Sequence, residues 1–121
     1  MGLVLSWLEA FVLTQGIEMG VYANAPGPAR PWPERLAIAF GASAITHPIV
    51  NFVIVPLYAP LHVDWWTMVA WAEAFAFVTE ALWLAAFGTP FVLAVLTSLV
   101  ANGLSFSIGV FCYFVPDMLF E

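Results

Sequence analysis

A single cysteine, Cys112, among 121 residues excludes an intrachain disulfide and any cysteine-based metal cluster. Positive charge is almost as scarce, because lysine is absent and the only arginines, Arg30 and Arg35, share one proline-rich loop. Charged residues of both signs make up 8% of the chain, against 64% hydrophobic residues and a mean hydropathy of +0.99. A water-soluble domain of this size needs far more polar surface, so the solvent of this chain is lipid. The net charge of −6 is carried on acids, and no nucleic-acid partner is expected. The sequence has no H-E-x-x-H pair, no phosphate-binding loop and no dinucleotide fingerprint. Internal repeats are missing too, and proline and glycine gather at segment ends, which predicts one domain over residues 1–121.

What the chain does have is long apolar runs. A bilayer-spanning helix needs about 20 mostly apolar residues, and four segments qualify, at roughly 3–23, 36–57, 65–87 and 90–115. Glycine and proline punctuate the boundaries, and Thr89-Pro90 has the form of a helix start. The short connections predict an all-α, polytopic membrane protein built as an up-and-down four-helix bundle. Arg30 and Arg35 mark the first loop as cytoplasmic by the positive-inside rule, which leaves both termini outside, and the expected setting is a bacterial inner membrane. Trp7, Tyr58, Trp65, Trp66 and Tyr113 are expected in the outer aromatic belt, with Tyr22, Trp32 and Trp83 near the inner one. Ala23-Asn24-Ala25 imitates a signal-peptidase site, but the segment before it has no basic start and is interrupted by Glu9 and Glu18.

Those two glutamates, with Glu73 and Glu80, lie inside spans that hold no lysine or arginine. A carboxylate at membrane depth costs several kcal/mol unless it is protonated, paired or facing a polar cavity, so each is a functional-site candidate. Glu73 and Glu80 are seven residues apart and share a helix face. Glu9 and Glu18 are nine apart and fall on opposite sides of an ideal helix. In the second span, Ser43, His47 and Asn51 repeat every four residues beside Thr46, and Pro48 predicts a bend that frees a backbone acceptor. In the fourth, Ser98, Asn102, Ser105, Gly109 and Cys112 lie on one narrow face, a pattern that also suits close helix packing. Counted along the spans, these groups match in depth across helices, which predicts that His47, Asn51, Glu73, Glu80, Asn102 and Ser105 face one another in one polar core.

Two carboxyls close together cannot both ionise cheaply; they share protons or bind a cation. The leading expectation is therefore a small membrane protein that binds or passes protons or a metal cation through Glu73, Glu80, His47, Glu18, Glu9, Asn51, Asn102 and Ser105, with a divalent metal as the candidate cofactor. A di-metal carboxylate bundle would use Glu-x-x-His pairs, and there are none. A bis-histidine haem site lacks its second histidine at membrane depth. Two alternatives stand beside it. One is a subunit of a homo-oligomer or larger membrane complex, whose polar core fixes helix packing. The other is an intramembrane enzyme acting on a lipid or quinone, with Glu73, Glu80 and His47 as acid and base.

Overall fold

The computed structural model describes the backbone of residues 7–119 and the side chains of residues 8–111. Every regular element among them is helical: α1 (Trp7–Tyr22), α2 (Trp32–Ile49), a π turn (Val50–Ile54), α3 (Val55–Tyr58), a 3-10 turn (Ala59–Leu61), α4 (Trp65–Ala86) and α5 (Phe91–Leu119). Three rods are long and apolar enough to cross a bilayer: Trp32–Leu61, Trp65–Ala86 and Phe91–Phe111. The 16 described residues of α1 rise about 24 Å at about 1.5 Å each, short of a hydrocarbon layer of about 30 Å. Of the four expected spans, three helices are long and apolar enough to cross a bilayer, and the described part of α1 is not. Residues 3–6 of the expected first span lie outside the described residues.

Two expected boundaries move. The second helix starts at Trp32 rather than at residue 36, because Pro33 sits in its first turn, where a missing N–H costs nothing. Arg35 lies over the Trp32 ring at 4.3 Å, so the charge stays at the helix end while its stem covers apolar surface. The fourth helix begins at Phe91, with the Ala94 N–H donating to the Pro90 carbonyl at 2.8 Å, and runs to Leu119. Pro48 stays inside α2 without ending it. The ladder widens just beyond it, where the Val55 N–H reaches the Val50 carbonyl five residues back, a π turn of the kind that absorbs an interrupted ladder.

α1 packs on α2 and α5, and α4 packs on the same two helices, closing a ring of four. The centre is made of small side chains, with Ala39, Ala42, Ala94 and Ala101 fully buried and Leu84 the largest apolar group among them. Lipid supplies no hydrophobic drive for helix association, so close backbone approach through small residues takes its place. Leu8, Leu82, Leu99 and Phe111 point outward, as a lipid-facing surface requires. The tightest approach is at Gly41, where a Cβ would lie 2.6 Å from Trp83 Cζ2; the Trp83 indole is fixed there by donating to the Ile38 carbonyl at 2.9 Å.

The loop after α1 and the loop after α4 meet at one end of the bundle. Arg30 donates to the Phe87 carbonyl at 3.0 Å, supplying a cation to the C-terminus of α4. Pro28 lies against Gly88, whose φ of +97° suits glycine. At the other end Asp64 caps α4 by accepting from the Thr67 N–H at 3.1 Å. Trp65 and Trp66 are exposed there and stack edge to face. Trp7 and Tyr113, also assigned to that belt, have side chains outside the described residues.

Candidate functional site

Each helix turns one polar face inward. On α1, Gln15, Glu18 and Tyr22 follow spacings of three and four and all are buried, Glu18 to 1% exposure. α2 brings Ser43 and Thr46, α4 brings Glu80, also 1% exposed, and α5 brings Ser98, Asn102 and Ser105. Tyr22, expected at the membrane interface, is 3% exposed. Its place one turn beyond Glu18 carries its ring into the bundle, with the hydroxyl on a carboxylate.

Glu80 is the hub. It accepts from the Tyr22 hydroxyl, from Thr46 Oγ1 at 2.6 Å and from Asn102 Nδ2 at 2.7 Å. Glu18 accepts from the Ser43 hydroxyl and from Ser105 Oγ at 2.7 Å. The two carboxyls are linked through neighbouring pairs of residues on two helices. Along α5, Ser105 also reaches the Asn102 carbonyl at 3.2 Å; along α2, Thr46 also reaches the Ser43 carbonyl at 3.3 Å. Among the described residues, the one buried side-chain polar atom without a partner is Gln15 Oε1, although Gln15 Nε2 donates to the Phe40 carbonyl at 3.0 Å.

These second acceptors give the site its chemistry. A hydroxyl can donate or accept, whereas an amide N–H can only donate. If Glu80 carries a proton, it can donate to Thr46, whose own proton turns to the Ala42 or Ser43 carbonyl. Ser105 can do the same for Glu18 by turning to the Asn102 carbonyl. Hydroxyl rotation alone therefore satisfies both the charged and the neutral carboxyls.

Two cavities flank the network. The larger of these two, about 390 Å³ beside a shallower α4–α5 groove of about 460 Å³, is bordered by Glu18, Thr46, Asn102 and Ser105 from the network and by His47 and Glu73 outside it. The smaller, about 40 Å³, lies at the loop end, bordered by Tyr22, Arg30, Arg35 and Thr89. Space of that order holds a few waters at about 10–15 Å³ each.

The structure thus brings together Glu18, Glu80, Asn102 and Ser105 of the expected set, and adds Tyr22, Ser43 and Thr46 as direct partners. The other four expected residues stand apart from these bonds. Glu73 and His47 are half-buried on the large cavity, with the His47 ring edge-on to Phe11 at 5.7 Å. Asn51 is exposed at the cavity rim and folds back to donate to the His47 carbonyl at 3.0 Å, because its amide finds a partner within its own π-wound turn. Glu9 is exposed on α1, half a helical revolution from Glu18. Among the described residues no three His, Cys, Asp or Glu side chains converge in a way that could hold a metal ion.

Tyr22 was recoverable from its spacing to Glu18, and Thr46 from its place one residue before His47. Neither signal is specific, since tyrosine near a helix end ordinarily marks an interface. Compared with family models, with curated proteins and with solved structures, the chain matches none.

Proposed function

We propose that this protein is a small integral membrane protein that carries protons through the Glu18–Glu80 network. The observation behind the reading is the placing of two buried carboxyls, each held by hydroxyls, between the two cavities. Glu18 borders the large cavity, Glu80 lies deeper, and the Tyr22 hydroxyl on Glu80 belongs to a side chain bordering the small one. Buried acids bonded to hydroxyls, with no lysine or arginine in their spans, are the parts of a proton relay. The arginine loop at the small cavity faces the cytoplasm in this reading, and the large cavity opens towards the opposite side.

A second reading rests on a different observation, the near-complete pairing of the buried polar atoms. A fully satisfied polar core can serve helix register alone, within an oligomer or a larger complex. The two readings separate in vesicles holding the purified protein and an internal pH-sensitive dye. Under an imposed pH gradient the parent protein is expected to dissipate protons faster than protein-free vesicles, and Glu80→Gln and Glu18→Gln to return the rate to the protein-free level while remaining folded. A parent rate equal to that of empty vesicles leaves the packing reading in its place.

A further inference from the structure

The large cavity has features that the proton network does not use. Glu73 borders it from α4 and His47 from α2. Neither the Glu73 carboxyl nor the His47 ring nitrogens bond to any described residue. The remaining wall is mostly apolar, with Trp65, Val69, Phe106 and Val110 among its members. At about 390 Å³ it falls within the range of small-molecule sites, about 300–1,000 Å³, which combine apolar walls with a few convergent polar groups. Its acidic groups are two carboxyls, Glu18 and Glu73, and the arginines lie at the opposite end of the bundle, around the small cavity.

The cavity also shares a wall with an outer groove. A groove on the outer surface between α4 and α5 shares Val69, Glu73, Asn102 and Phe106 with the cavity wall, and its outer lip is formed by Ala70, Ala74, Leu99 and Gly103. All four lip residues are exposed on a surface that faces lipid in a spanning bundle. Ala70, Ala74 and Gly103 keep the lip low beside the larger Trp66, Phe77 and Leu99, and Glu73 borders both groove and cavity.

We infer that the large cavity binds a lipophilic organic cation, an ammonium group carrying aromatic or branched alkyl substituents, which enters from the bilayer through the α4–α5 groove and places its charge against Glu73. An apolar body suits both the lipid route and the Trp65–Phe106 wall. A positive charge suits the one wall carboxyl that has no hydrogen-bond donor of its own, and aromatic faces at the wall favour quaternary ammonium groups further. An anion would meet Glu18 and Glu73 with no fixed cation to offset them. The inference shares its cavity with the outer mouth of the proton reading but rests on Glu73, which takes no part in the Glu18–Glu80 bonds, so cation binding and proton flux are read out separately.

The test is equilibrium dialysis of the full chain in lipid nanodiscs against benzyltrimethylammonium, with empty nanodiscs subtracted and with neopentylbenzene, its uncharged isostere, in parallel. The parent protein is expected to bind the cation at least about ten-fold more tightly than the isostere. Glu73→Gln keeps the shape of the wall and removes the charge, and should abolish that preference. Gly109→Leu is the steric counterpart: a Cβ at Gly109, which borders the cavity, meets nothing within 4 Å, so the larger side chain fills the site without touching a charge and should weaken both ligands. In stopped-flow mixing of the same nanodiscs with the cation, followed by tryptophan fluorescence, Gly103→Leu, on the open lip, should slow association several-fold. Equal affinity for cation and isostere, no saturable binding by the parent, or cation affinity unchanged in folded Glu73→Gln would each overturn the assignment. An association rate unchanged in Gly103→Leu would overturn the lateral route.

Discussion

Replacing Glu80 by leucine and by glutamine separates its hydrogen-bonding role from its proton chemistry, and the structure sets the size of each effect. Leucine removes the acceptor for three donors: the Tyr22 hydroxyl, Thr46 Oγ1 and Asn102 Nδ2. At about 1–3 kcal/mol per stranded buried group, a simple sum would reach about 3–9 kcal/mol. Two of the three donors have somewhere else to go, however. Thr46 can turn to the Ala42 or Ser43 carbonyl, and Asn102 Nδ2 already approaches the Ser98 carbonyl at 3.0 Å. The Tyr22 hydroxyl keeps the bond it accepts from Asn102 Nδ2 at 3.2 Å but loses the acceptor for its own proton, so Glu80→Leu should destabilise by about 1–3 kcal/mol. Glutamine keeps an acceptor for Asn102 and Tyr22, and its new N–H can donate to Thr46, so Glu80→Gln should stay within about 1 kcal/mol of the parent. The measurement is reversible unfolding in mixed micelles, titrated with denaturing detergent and followed by circular dichroism. Equal losses in the two variants, or a loss near the unrelaxed sum in Glu80→Leu, would refute the idea that the neighbours re-pair.

Two further predictions address the scaffold. Gly41→Ala should cost about 1–3 kcal/mol as an overpacking change, because the new Cβ would lie 2.6 Å from a Trp83 ring held by its bond to Ile38; an unaltered unfolding midpoint in the same micelle titration would show that the indole moves freely. Asp64 accepts from the Thr67 side chain and N–H, and these bonds hold its carboxyl below the usual aspartate range. A lowered folded value means that the cap is fully present above the unfolded value of about 4 and is lost as pH falls through the folded one. Amide exchange at Thr67 should therefore show more opening at acidic pH relative to its neighbours, an increment absent in Asp64→Ala.

How much of this was legible in the sequence depended on which physical variable each signal reports. Apolar length marked the three long rods, and the one-sided spacing of Ser98, Asn102 and Ser105 marked the inward face of α5. The start of α2 was harder to read, because Pro31, Pro33 and the charges at Glu34 and Arg35 look like a loop. A helix accepts all of them in its first turn, and Trp32 supplies an apolar surface for the arginine stem. The continuation through Pro48 was equally hidden: proline announces an interrupted ladder but not whether the chain breaks, bends or rewinds as the π turn seen here.

The site shows a sharper limit. Depth along a helix follows from counting at about 1.5 Å per residue; it sets Glu18 and Glu80 on the inner half, Asn102 near the centre and Ser105 on the outer half, whereas Ser105 Oγ lies 2.7 Å from the Glu18 carboxyl. Whether two groups at the same depth touch depends on rotation about each helix axis, which changes by about 100° per residue. The π turn shifts that phase for everything after Pro48, and Asn51 sits inside it, turned back on its own helix. Glu73 and Glu80 share a face, but two turns of about 5.4 Å each separate them by more than any hydrogen bond. One therefore joins the bonded network while the other borders open space. That division of labour along α4 was not available from spacing alone, because the same seven-residue interval fits a shared site and two adjacent ones. What decides between them is which donors the facing helices present at each level: hydroxyls and an amide opposite Glu80, and a cavity opposite Glu73.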